Sequence, residues 1–189
     1  MKKEIFEQSY KWEKGLVNHP NDKGGWTNDG ITIKFYNTWC RVVLNTKPSN
    51  EHFSKMKKYP HIFKFYSHLF ERVLCHRISN WVVSAICFDF ILNSGMARRE
   101  IQNVLRDIGH TEVIADNIFG AITIGALNEA IEKIGALKIC ELILDKRQAY
   151  IEMLIERDKS QEVFRKGWMN RINDMRDFVK KNLENLKKD

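Results

Sequence analysis

Apolar residues recur every three or four positions along nearly the whole chain, and that period predicts helices. Ile5, Ser9, Trp12 and Leu16 mark a first short helix, which Gly15 ends. The next stretch loses the helical period and collects turn chemistry, NDKGG and then NDG. Asp-Gly and Gly-Gly pairs favour tight hairpins, so a small β-hairpin is expected here and almost nowhere else. Thr32 is placed to cap a second helix whose face is Ile33, Tyr36, Cys40 and Val43. KPSNEHF reads as a loop in which Ser49 or Asn50 can cap a further short helix, and Pro60 interrupts before HIFKFYSHLFERVL resumes as a helix.

Residues 81–92, WVVSAICFDFIL, are apolar on every side, as a helix at the centre of a bundle must be. NSG stops it. Ile101, Val104, Leu105 and Ile108 then mark a helix closed by Gly109, and DNIFG turns the chain into a helix from about Ile122 to Ile134. A longer helix carries Ile139, Leu142, Ile143, Tyr150, Met153 and Leu154. The last holds a stripe of Phe164, Trp168, Ile172, Met175, Val179, Leu183 and Leu186, expected to pack within the chain, so a monomer is favoured. The expected architecture is mainly α, a helical bundle with one small β-hairpin near the N-terminus.

The 189 residues suit one domain or one domain with a modest appendage, and 43% hydrophobic residues suffice for a core. A net charge of +7 points to an acidic partner: nucleic acid, anionic membrane or a bacterial wall polymer. No helix interleaves a dense Arg/Lys stripe with exposed aromatics, so nucleic acid is not expected. Asp89 stands inside the most apolar stretch, residues 78–97, which reads as a buried core helix and not a membrane span. Cys40, Cys75, Cys87 and Cys140 lack C-x-x-C spacing and read as buried free thiols. The six histidines show no ligand spacing, so neither a metal nor an organic cofactor is expected. The start MKKEIFEQ shows no secretory signal, and synthesis and folding in the cytoplasm are expected.

The chemistry concentrates in EKGLVNHPNDKGGWTNDGIT, residues 13–32. On the first helix Glu13 shares a face with Phe6 and Ser9, flanked by Ile5 and Trp12. Partial desolvation and the negative end of the helix dipole both favour its protonated form. A general acid for glycosidic cleavage needs that property. Asp22, among polar turn residues, should stay ionised, and Thr27 can orient it or a water. Two carboxyl groups in contrasting environments suit a glycosidase. The competing reading makes Glu13 a surface residue and Asp22 the closure of an Asx-turn.

The stretch resembles the signature of the phage-type N-acetylmuramidases of glycoside hydrolase family 108, roughly E-G-G-Y-x-N-x-P-x-D-x-G-G-x-T-N-x-G-I-T. Glu13, Gly15, Asn18, Pro20, Asp22, Gly24, Gly25, Thr27, Asn28, Gly30, Ile31 and Thr32 occupy matching positions without a gap. FDFILNSGMARREIQNVL (88–105), DNIFGAITIGAL (116–127) and GWMNR (167–171) are similar to later parts of the family, the last two to its peptidoglycan-binding-like region. The resemblance implies a lysozyme-like fold, with residues 1–96 as catalytic region and 97–189 as C-terminal helical region, packed as one compact unit. It implies an endolysin-type muramidase cleaving the β-1,4 bond between N-acetylmuramic acid and N-acetylglucosamine, Glu13 being the acid and Asp22 and Thr27 lining the cleft opposite. Asn18, Gly25, Asn28, Asp89 and Asn93 become candidate substrate contacts, although Asp89, inside an apolar helix, also reads as structural support. Peptidoglycan is the implied partner, reached through a holin or another export route.

Lys14 and Leu16 stand where the family has glycine and tyrosine, and Asn117 replaces a glycine in DNIFG, where Asn tolerates the left-handed region. Residues 46–80 match nothing recognisable. The first two changes keep open a wall-binding or secretion-associated protein that retains the fold without the hydrolysis.

Overall fold

The computed structural model describes residues 1–13, 15–17 and 26–184. The chain divides into two compact units, residues 1–69 and 70–189.

In the first unit, helix α1 (Lys3–Tyr10) buries Ile5, Phe6, Gln8 and Ser9 on one face. Phe6 is fully buried, with the rings of Tyr10, Tyr59, Phe63 and Tyr66 all 5.1–5.6 Å from its own. The helix ends earlier than its apolar period suggests, because Leu16 and Val17 are drawn into a strand. That strand, β1 (Leu16–Val17), pairs antiparallel with β2 (Thr27–Asn28), which pairs antiparallel with β3 (Ile31–Thr32). The β2–β3 turn is Asp29-Gly30, with φ of +46° and +79°. Positive φ at both central residues belongs to a two-residue hairpin, and it explains why Asp-Gly stands there. The expected hairpin is present, enlarged to three strands.

Helix α2 (Ile33–Val42) starts with Thr32 Oγ1 accepting from the Phe35 N–H, and α3 (Asn50–Ser54) with Ser49 Oγ accepting from the His52 N–H. Tyr36 and Cys40 are buried as the helical period requires, whereas Val43 is exposed because α2 stops at Val42. A turn through Lys58–Ile62, with a cis Tyr59–Pro60 bond, leads into α4 (Phe63–Arg72), inside which the unit boundary falls.

The second unit is built round α5 (Trp81–Asn93), whose residues from Val82 to Phe90 are all buried. Asn80 caps it through the N–H groups of Val82 and Val83. The unit's other helices are α6 (Ala97–Asp107) and α8 (Ala136–Arg157), which pack against α5, and α7 (Ala121–Ile134) and α9 (Arg165–Val179), which pack against α8. Helix α8 packs against α5, α6, α7 and α9. The packing boundary therefore lies earlier than the motif boundary at 96/97: α5 is apolar all round and shares its core with the later helices. The stripe on α9 faces inward at Ile172, Met175 and Val179, while Phe164, ahead of the helix, is exposed.

All four cysteines are free and buried. Burial pushes the thiols of Cys75 and Cys87 far up and that of Cys140 to about 12. Among the described residues no helix is long and apolar enough to cross a membrane, and no cluster of side chains could hold a metal ion.

Candidate active site

Glu13 lies beyond α1, off its predicted helical face, with its N–H donating to the Tyr10 carbonyl at 2.9 Å. It remains at the C-terminal end of the helix and is half-buried. Its carboxyl reaches the hairpin turn. A Cβ on Gly30 would stand 2.6 Å from Glu13 Oε2 and 2.6 Å from the Tyr66 hydroxyl oxygen. Both groups thus occupy the space any other residue would fill, and Gly30 is the floor on which they converge.

That floor is fixed from three sides. Tyr66, on α4, donates its hydroxyl to the Asp29 carbonyl at 3.0 Å, and Tyr10, on α1, donates to Asp29 Oδ2 at 2.8 Å. The Asp29 N–H reaches the Gly15 carbonyl at 3.3 Å. Burial first, and then the bond to Asp29, push the Tyr10 hydroxyl up to about 12, so it stays a donor.

Thr27 is half-buried on β2, opposite Val17 and Thr32. Asn28, beside it, is buried and donates its Nδ2 to the Phe53 carbonyl at 2.6 Å, so its amide braces the hairpin. Trp26 stacks on Phe53. Asn18, Asp22 and Gly25, with Lys14, lie outside the described residues.

Asp89 and Asn93 stand on α5 in the second unit. Asp89 is 0% exposed and held by two guanidinium groups. Arg147 Nη1 donates to its Oδ2 at 2.7 Å; Arg171 donates from Nη2 to Oδ1 at 2.7 Å and from Nε to both oxygens at 3.2 Å. Burial drives the Asp89 carboxyl upward, but Arg147 and Arg171 together outweigh it and hold the group below the usual carboxylate range. With both oxygens so held, the carboxylate reaches no surface and serves the interior of its unit. Asn93, one turn on, donates to the Asp89 carbonyl at 2.6 Å and is exposed at the edge of a small cleft.

Sequence reasoning missed Tyr10, Asp29, Tyr66 and Arg147. Tyr66 lies in the segment that resembled nothing. Arg147 had a readable signal: it occupies the buried face of α8 between Ile143 and Ile151, four residues from each, where a charge needs a partner. Asn117 adopts φ +67°, the left-handed conformation foreseen for it, and its amide ties the Arg99 N–H to the Gly95 carbonyl.

Residues 6–95 match the family model described as glycosyl hydrolase 108, and residues 96–173 match one described as a predicted peptidoglycan domain. The solved structure of SagA from Brucella abortus is similar at 26% identity and a TM-score of 0.69, covering 93% of this chain and 91% of that one. Among curated proteins nothing matches. The architecture, mainly α with a small N-terminal sheet, fits the lysozyme-like fold expected of that family. The chain carries a glycosyl hydrolase 108 domain over residues 6–95, followed by the predicted peptidoglycan domain over residues 96–173, and is a glycoside hydrolase acting on peptidoglycan.

Proposed function

We propose that the enzyme is an N-acetylmuramidase that cleaves the β-1,4 bond between N-acetylmuramic acid and N-acetylglucosamine, with Glu13 as general acid. The observation that carries this is the seating of the Glu13 carboxyl on the Gly30 turn beside Tyr66, inside the segment that matches the hydrolase family. A general acid must hold one orientation toward the leaving oxygen, and a rigid turn with a neighbouring phenol supplies that.

In this reading Glu13 delivers its proton to the glycosidic oxygen as the bond to the muramic acid carbon breaks. Asp22 then acts as base toward a water or stabilises the oxocarbenium-like transition state, with Thr27 orienting it. The net charge of +7 favours approach to a polyanionic wall.

The test is release of soluble muropeptides from purified peptidoglycan by wild type and Glu13→Gln, with the new reducing ends identified by mass spectrometry. Muramic acid ends from wild type, reduced by about 10²–10⁴-fold in the variant, are expected. Release of equal amounts by both proteins would place the acid elsewhere. Sedimentation of both with the wall, without any release, would replace the reaction by binding alone.

A further inference from the structure

The second unit carries a cleft that the proposed chemistry does not use. Its walls include Phe90 and Asn93 from the end of α5, Ser94 just after it, Arg147, Tyr150 and the apolar Ile151 and Leu154 from α8, and Trp168 from α9. Arg147 is the unusual member. Its side chain is 5% exposed, yet the only ion-pair partner it has among the described residues is Asp89, a carboxylate it shares with Arg171. One nitrogen, Nη1, makes that contact, and the guanidinium carbon lies 5.3 Å from the centre of the Phe90 ring. The Nε and Nη2 donors have no hydrogen-bond partner among the described residues, on a side chain that borders the cleft. None of its nitrogens is a fully enclosed donor without a partner, so the unused edge keeps contact with solvent, where a ligand can reach it.

The other walls of the cleft define the chemistry that would satisfy it. Trp168 and Tyr150 are half-buried and offer apolar ring surface, Ser94 keeps a hydroxyl proton to donate, and Asn93 adds an amide at the edge. Ring surface beside amide and hydroxyl groups suits a sugar or short peptide, and the free edge of a guanidinium suits a carboxylate, which it can grip with two parallel bonds. GWMNR thereby divides its work: Arg171 holds Asp89 from within, and Trp168, three residues earlier, faces the cleft.

We propose that this cleft is a binding subsite for a carboxylate-bearing muramyl peptide, with Arg147 gripping the carboxylate and Trp168 and Tyr150 covering the neighbouring sugar or peptide. It rests on peptidoglycan being the substrate and names the part of that polymer recognised away from Glu13.

The full-length protein is titrated calorimetrically with N-acetylmuramoyl dipeptide, with its methyl ester, and with sodium acetate. The first has no bond for a muramidase to cut. The free acid is expected to bind at least about tenfold more tightly than the ester, since only the acid pairs with the guanidinium. Arg147→Lys should bring the acid down to the level of the ester, and Trp168→Ala should weaken both ligands, with thermal melts reporting whether each variant remains folded. The acid-to-ester comparison on wild type needs no variant and decides the matter if Arg147→Lys does not fold. Equal affinity for acid and ester would overturn the proposal, as would acetate binding as tightly as the muramyl peptide, which would mark a general anion site. Muropeptide release with acid and ester bound alike would leave the reaction standing and remove the subsite. Tight, acid-selective binding by a protein that releases nothing would do the reverse.

Discussion

At Gly30 two independent constraints coincide. The backbone has φ +79°, which L side chains rarely adopt, and the space where a Cβ would lie is taken by the Glu13 carboxyl and the Tyr66 hydroxyl. Gly30→Ala must therefore strain the turn and push both groups away. The strain should cost about 1–3 kcal/mol. Displacement of an acid by about 1 Å costs on the order of 10²-fold in rate, so muropeptide release should fall far more than a melting curve alone would suggest. A variant that lost stability but kept its turnover would show that the close approach of Glu13 to the turn does not position it.

At the scale of elements, Gln102 joins α6 to the segment before α7. Fully within the fold, its Nε2 donates to Asp116 Oδ1 and the Ile118 carbonyl, each at 2.9 Å, and its Oε1 accepts from the Asn117 N–H at 2.9 Å. The bond from Gln102 is the leading cause of the lowered Asp116 carboxyl. Gln102→Leu keeps the volume and leaves the Asn117 N–H without its acceptor, a loss of about 1–3 kcal/mol. Urea unfolding should report it as an earlier midpoint at unchanged slope. A midpoint equal to that of wild type would mean that the DNIFG turn is held by Asn117 alone.

For the whole molecule the buried Asp89–Arg147–Arg171 group links stability to pH. The folded pKa of Asp89 is depressed, so its contribution is fully present above the ordinary carboxylate value and is lost as pH falls through the lower folded value. Wild type should therefore lose stability on acidification below the range in which free aspartate titrates. Asp89→Asn should be less stable by roughly 3–5 kcal/mol at neutral pH, because it leaves two guanidinium groups without their carboxylate. Its loss of stability on acidification should also be smaller. Thermal melts of both proteins across the acid range check this, and parallel curves would mean that Asp89 does not carry the dependence.

Much of this was legible locally. Helical period placed α6 and α8, and an unbroken apolar run placed α5; the side chains of Thr32 and Ser49 announced the helix starts they cap; and Asp29-Gly30 announced its hairpin. Each of these depends on a few neighbouring residues whose geometry a single turn or helix repeats, so the chain states it directly. The motif round Glu13 marked the hydrolase domain for the same reason. What remained for tertiary structure was which distant groups meet. Glu13 left its helix because Leu16 and Val17 found a strand partner, and it came to rest against Gly30 beside Tyr66, from a segment without any signature. Asp89 reached Arg147 and Arg171 across 58 and 82 residues of chain. A carboxylate in an apolar helix requires a counter-charge, so the sequence alone determined that a partner must exist. Only the packing of α8 against α5, and of α9 against α8, decided which residues answer it, because that choice depends on helix orientation and burial, which no local spacing encodes.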